Sequence, residues 1–116
     1  MIIKSSYGPT SLPPGWGPRH MTMTTRFQSE EKQIAYVINE LEPFISIFVF
    51  DEETGNLQDL GVIETINASG SSGAEIMLHP NEQWLYCSNR NTKGENGAVL
   101  VYHVLEDGNL ENVQVC

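Results

Sequence analysis

Cysteine is scarce, with only Cys87 and Cys116 among 116 residues, so the chain is no disulfide scaffold. Positive charge is scarce too. Six Lys and Arg stand against 15 Asp and Glu, a formal net charge of −9, and that balance repels nucleic-acid phosphates and anionic membranes. The expectation is no nucleic acid and no membrane as partner. A small anionic substrate stays possible, because a few placed arginines can make a positive pocket inside a negative molecule. No apolar run reaches the length that spans a bilayer. Residues 1–14 lack the basic head and long apolar stretch of a signal peptide, so a cytoplasmic protein is expected. The sequon Asn67-Ala68-Ser69 would matter only in a secretory context.

Chemical motifs are also missing. The three His and two Cys show no zinc-ligand spacing, and no phosphate-cradling glycine loop or GxSxG elbow occurs. No metal and no cofactor are expected. Sustained helical periodicity is absent as well. Ser69-Gly70-Ser71-Ser72-Gly73 reads as a flexible loop rather than a nucleotide site.

What the chain does hold is a 40% hydrophobic content, enough for an ordinary core, arranged in short β-type runs. Residues 1–18 are Gly-, Pro- and Ser-rich, without a period, and read as irregular. From Arg19 onward the runs are 21–27, 34–41, 45–51, 57–66, 74–79, 84–89, 99–105 and 110–115, rich in Val, Ile, Thr, Tyr and Phe. Asp51-Glu52-Glu53-Thr54-Gly55-Asn56 and Glu106-Asp107-Gly108-Asn109 read as hairpin turns with Gly at a positive-φ position, and His79-Pro80-Asn81-Glu82 as a third turn. Cys87, inside an apolar run, reads as a small core residue.

The runs repeat. Ile34-Ala35-Tyr36-Val37-Ile38-Asn39-Glu40 aligns with Trp84-Leu85-Tyr86-Cys87-Ser88-Asn89-Arg90, an offset of 50. Phe48-Val49-Phe50 aligns with Val101-Tyr102-His103, and Gly55-Asn56-Leu57 with Gly108-Asn109-Leu110, both at 53. The loop 91–97 absorbs the difference. A period near 50 with four strands per unit is the signature of propeller blades; a single sandwich with accidental self-similarity is the rival. The expected fold is all-β, two four-stranded blades of a β-propeller, with units at 19–66 and 67–116. Two blades cannot close a ring, and the chain stops inside a strand, so a truncated second unit is expected.

Charged residues end the equivalent strands, Glu40 in the first unit and Arg90 in the second. At a strand end in a repeat, both side chains project from neighbouring blades toward one opening. A cross-blade ion pair that only ties the blades is the competing reading. Gly17-Pro18-Arg19-His20 opens the first unit. Arg19 could merely bridge a surface acid, and His20 could merely pack near the sheet. Glu75 reads as a structural partner of inter-blade backbone, His79 as a turn residue, and His103 as a partly exposed strand residue.

Gly17-Pro18-Arg19-His20, Tyr36-Val37-Ile38-Asn39-Glu40, Ala74-Glu75-Ile76 with His79-Pro80, and Leu85-Tyr86-Cys87-Ser88-Asn89-Arg90 resemble, in this order, the GPRH, YVxNE, AEIxxHP and LYxSNR motifs of the lactonase propeller family. The resemblance covers roughly residues 15 to 116. It implies handling of a small anionic lactone, as in bacterial 6-phosphogluconolactonases and fungal carboxy-muconate lactonizing enzymes, without an essential metal. It places Arg19, Glu40 and Arg90 in the family's active-site cluster, with His20 beside them. Two departures stand out: the family's histidine from a preceding blade has no counterpart, and the FxPDGK turn is replaced by Arg26-Phe27-Gln28-Ser29-Glu30-Glu31-Lys32. Arginine suits a phosphate or carboxylate through its bidentate fork, and Glu40 or His20 could relay a proton. The expected function is hydrolysis of a 6-phosphogluconolactone-like sugar lactone, by a fragment that is inactive alone. A muconate cyclase fragment and a non-catalytic interaction module, self-associating through open blade edges, are the alternatives.

Overall fold

The computed structural model describes residues 4–5, 8–9, 11–25, 32–42, 44–65, 71–91 and 97–116, the side chains of 4, 5, 8, 9 and 91 excepted. The sequon at 67–69, most of the replaced turn at 26–32 and the loop centre at 92–96 lie outside them. Among the described residues every regular element is a strand. A short pair, β1 (Lys4–Ser5) and β2 (Gly8–Pro9), lies in the stretch expected to be irregular.

Two four-stranded antiparallel meanders follow, one per repeat. The first holds β3 (Pro18–Met23), β4 (Lys32–Asn39), β5 (Phe44–Asp51) and β6 (Leu57–Glu64). The second holds β7 (Ser71–Leu78), β8 (Trp84–Asn91), β9 (Ala98–Val104) and β10 (Leu110–Val115). Each sheet runs in chain order from its first strand to its last, the blade architecture expected. Residues 71–73, read as flexible loop from their Gly and Ser, belong to β7.

The core lies between the sheets. Ile34, Tyr36, Ile38, Ile45 and Ile47 of the first blade meet Ile76, Leu85, Cys87, Leu100, Tyr102, Val104 and Leu110 of the second. Side chains alternate across a strand, so each blade has two faces, and the second blade leaves its outer one open. There Met77 and Val99, paired with Tyr86 and Ser88, are exposed. Tyr86 occupies on that face the position that Tyr36 occupies on the covered one.

Strand pairing corrects the repeat by one residue. Tyr36 pairs with Ile47, and its equivalent Tyr86 pairs with Val101, so the third strands align at 54 rather than 53. A one-residue slip would exchange the two faces of a strand. The offset of 54 keeps Phe48 and Tyr102, both buried, at matching places. The turn after β9 is one residue shorter, which restores 53 at Gly55 and Gly108.

Both hairpin turns are held by an Asp. Asp51 Oδ1 accepts from the backbone N–H of Glu53 at 3.0 Å, and Asp107 Oδ1 from that of Asn109 at 2.9 Å. Gly55 and Gly108 take φ of 74° and 90°, left-handed values that a side chain disfavours. The bonds from the Asn109 N–H and then from its side-chain amide, 3.0 Å from Oδ2, hold the Asp107 carboxyl below its usual range. The second turn also closes the blade interface, because the buried Tyr36 hydroxyl donates to the Gly108 carbonyl at 2.7 Å. Burial, with Asp107 next in weight, pushes that phenol above its ordinary value. A hydrogen bond of this kind is worth about 1 kcal/mol net, and more is lost when one partner is left buried alone.

Cys87 is a core residue, as expected, and burial pushes its thiol up to about 12. The thiolate is the reactive form, so the folded chain should titrate a single thiol, the exposed Cys116, with an aromatic disulfide reagent. Cys87 should follow only on unfolding. Two equally fast thiols would show that the blades do not stay packed.

Candidate functional site

The candidate residues gather at one end of the sheets because of antiparallel register. Pro18, at the start of β3, sits opposite Asn39, at the end of β4. Gly73 sits opposite Asn89 in the same way. The chain leaves β4 at Glu40, whose N–H donates to the Gly17 carbonyl at 2.8 Å. Asn39 holds that exit from inside: its buried amide donates to the Phe44 carbonyl at 2.9 Å and to Ser46 Oγ at 3.1 Å. Asn89, its repeat counterpart, donates to Thr65 Oγ1 at 3.0 Å. Neither Asn stood out as functional in the sequence, although their recurrence at offset 50 was visible.

β7 packs against β3 and β4, and its approach depends on Gly73. A Cβ there would collide with the Asn39 carbonyl oxygen and the Ile38 side chain. This closeness brings equivalent residues of the two blades into contact in two groups.

In the first group Arg90 Nη2 donates to Glu40 Oε1 at 3.2 Å and lies 3.4 Å from Ser72 Oγ. Glu40 and Arg90 thus meet across the blade boundary. Their side chains are 44% and 52% exposed, so the pair is solvent-screened and contributes at most about 1 kcal/mol to stability. A tie between blades would need deeper burial to matter.

In the second group the side chains come from β-bulges, since the β3–β4 register shifts between Pro18 and His20 and the β7–β8 register between Gly73 and Ile76. Bulges re-aim side chains. Arg19 Nη1 donates to the Ala74 carbonyl of the next blade, and it lies 3.4 Å from both ring nitrogens of His20. Equal distances place the guanidinium over the imidazole rather than along one lone pair. Part of Arg19 is therefore committed to the blade contact. His20 Nδ1 lies 2.9 Å from Glu75 Oε1. That bond, and next the bond from the Ile76 N–H, hold the Glu75 carboxyl below its usual range. Glu75 was read as a partner of inter-blade backbone; the structure gives it the His20 side chain instead, and its backbone donor, Ile76, is in its own blade.

His79 accepts from the Asn81 N–H at 3.1 Å within its turn, and His103 stacks on Trp84 with ring centroids 5.1 Å apart. Both stay outside the cluster. No group of three or more His, Cys, Asp and Glu among the described residues could hold a metal ion. Between them the two groups hold two arginines, two carboxylates and one imidazole, residue types suited to binding an anion and moving a proton.

The sequence model of the family described as lactonase, 7-bladed beta-propeller, matches residues 4–116. A 6-phosphogluconolactonase of Pectobacterium atrosepticum is 29% identical over 97 residues, 81% of this chain and 26% of that protein. One of Blochmanniella floridana is 34% identical over 82 residues, 64% of this chain and 22% of its own length. A Bacteroides fragilis crystal structure labelled a candidate 6-phosphogluconolactonase superposes with a TM-score of 0.73 at 32% identity, over 97% of this chain and 29% of that one. The periplasmic gluconolactonase of Pseudomonas aeruginosa, at 22% identity and a TM-score of 0.74 over 97% of this chain and 30% of its own, shares the fold. The chain spans between a fifth and a third of these proteins.

Proposed function

Because this chain belongs to the lactonase family of seven-bladed β-propellers, we propose that its strand-end mouth is one wall of a pocket that hydrolyses a small anionic sugar lactone. The observation that carries the reading is the Glu40–Arg90 contact, an acid–base group and an anion-binding group from equivalent places in adjacent blades. Arg90 would hold the substrate's phosphate or carboxylate with its bidentate fork. Glu40 would accept a proton from water as the water oxygen bonds to the lactone carbonyl carbon. The ring C–O bond then breaks, and the proton passes to the leaving alkoxide, giving the open hydroxy acid. Arg19, through the guanidinium nitrogens not bound to Ala74, would steady the charge that builds on the carbonyl oxygen.

The substrate we favour is a phosphorylated gluconolactone, since the sequence relatives named above bear that activity in their names. They give the muconate-closing and interaction-module readings no support. The test is acid release by a ring-complete protein containing this segment, with 6-phosphogluconolactone beside the unphosphorylated lactone. Faster turnover of the phosphorylated lactone is expected, with little turnover by the 116-residue chain alone. Rates no higher than spontaneous hydrolysis for both lactones would overturn the reading.

A further inference from the structure

We propose that Glu75 is a positioning residue that fixes the tautomer of His20, so that the imidazole offers its Nε2 lone pair at the mouth. The inference rests on the proposed function only for what Nε2 then does, which is to accept a hydrogen bond from water or a sugar hydroxyl. The tautomer itself follows from the neighbours on the page.

His20 has two polar side chains against its ring, Arg19 and Glu75. A guanidinium has donors and no acceptor, so Arg19 cannot receive a ring N–H. An ionised carboxylate has acceptors and no donor, and the bonds from His20 and Ile76 keep Glu75 ionised. The 2.9 Å contact between Nδ1 and Oε1 is therefore an N–H from the ring to the carboxylate. In the neutral imidazole Nδ1 then carries the proton and Nε2 carries the lone pair. Which ring nitrogen is protonated is set by the hydrogen bond the other makes.

The carboxylate is itself placed. The Ile76 N–H donates to the same Oε1 at 2.9 Å, and the Glu75 N–H donates to Ser88 Oγ at 3.1 Å. These bonds hold the bulged residue and its side chain together. His20 and Glu75 occupy the same bulge position in successive blades, 55 residues apart, so the blade repeat converts one structural place into a donor and its acceptor. A merely structural contact would not require a carboxylate here, since packing at a site 43% and 57% exposed contributes little.

The test is nitrogen-15 NMR of the imidazoles in the full 116-residue chain, at a pH where His20 is neutral and without any lactone present. His20 is assigned by the signal lost in His20→Asn. The expected spectrum has a protonated Nδ1 and an unprotonated Nε2. In Glu75→Ala the His20 signals should shift toward the Nε2–H tautomer, and Glu75→Gln, which keeps an acceptor oxygen, should restore Nδ1–H. A wild-type chain with His20 as Nε2–H overturns the proposal even if no variant folds. So does a Glu75→Ala spectrum unchanged from wild type. Because substrate is absent, failure here leaves the lactonase reading standing. Failure of acid release, with the tautomer as expected, removes that reading alone.

Discussion

Gly73→Ala is expected to separate the two blades, lowering the unfolding free energy of the chain by about 3 kcal/mol or more, the upper end for overpacking. Gly73 does not adopt the left-handed φ that favours glycine, so the cost is one of space alone. The added methyl would meet the Asn39 carbonyl, and a backbone atom anchored in β4 cannot swing aside as a flexible side chain can. Either β7 retreats from β4 or the end of β4 bends. Retreat would open the Tyr36–Gly108 hydrogen bond and the core around Cys87. Denaturant melts would measure the loss, and thiol titration would locate it: Cys87 should become reactive below the unfolding midpoint. An unchanged midpoint with Cys87 still protected would show that the interface tolerates a side chain, and that the closeness of β7 to Asn39 is not what seats the blades.

Glu40→Gln, in a ring-complete protein carrying this segment, is expected to lower kcat by roughly 10²–10⁴-fold, the usual contribution of a general acid–base group. The substitution keeps the shape and one acceptor oxygen, so Arg90 retains a partner. Arg90→Lys should mainly raise KM, because lysine keeps the charge and loses the two-pronged fork. Steady-state kinetics on both variants separates the roles. A kcat unchanged in Glu40→Gln would remove the acid–base assignment, and a fall in kcat without a rise in KM for Arg90→Lys would move Arg90 from binding to chemistry.

The architecture and the Glu40–Arg90 juxtaposition were legible because both rest on local pattern. Alternating β-type residues mark strands, Asp and Gly mark the turns, and residues 50 positions apart at equivalent strand ends of adjacent blades come to lie side by side. The third-strand register was not legible to the residue, since Val, Tyr and Phe recur on both faces and only pairing to β4 and β8 decides which face each takes. Gly73 was hidden by composition: Ser69-Gly70-Ser71-Ser72-Gly73 carries loop residues, and the reason for glycine lies 34 positions away at Asn39. Glu75 was misjudged for the same cause. Its partner His20 is distant in sequence, and the two bulges that turn both side chains together are properties of register, not of either strand alone.

If Glu40 and Arg90 face each other for chemistry rather than to tie blades, the stability of the chain should depend little on the pair. The most direct test is the set of unfolding free energies of Glu40→Gln, Arg90→Gln and the double variant in this chain. A pair this exposed should give single losses and a coupling each within about 1 kcal/mol. Single losses of about 3 kcal/mol or more, largely recovered in the double variant, would be the behaviour of a buried structural ion pair and would contradict the account.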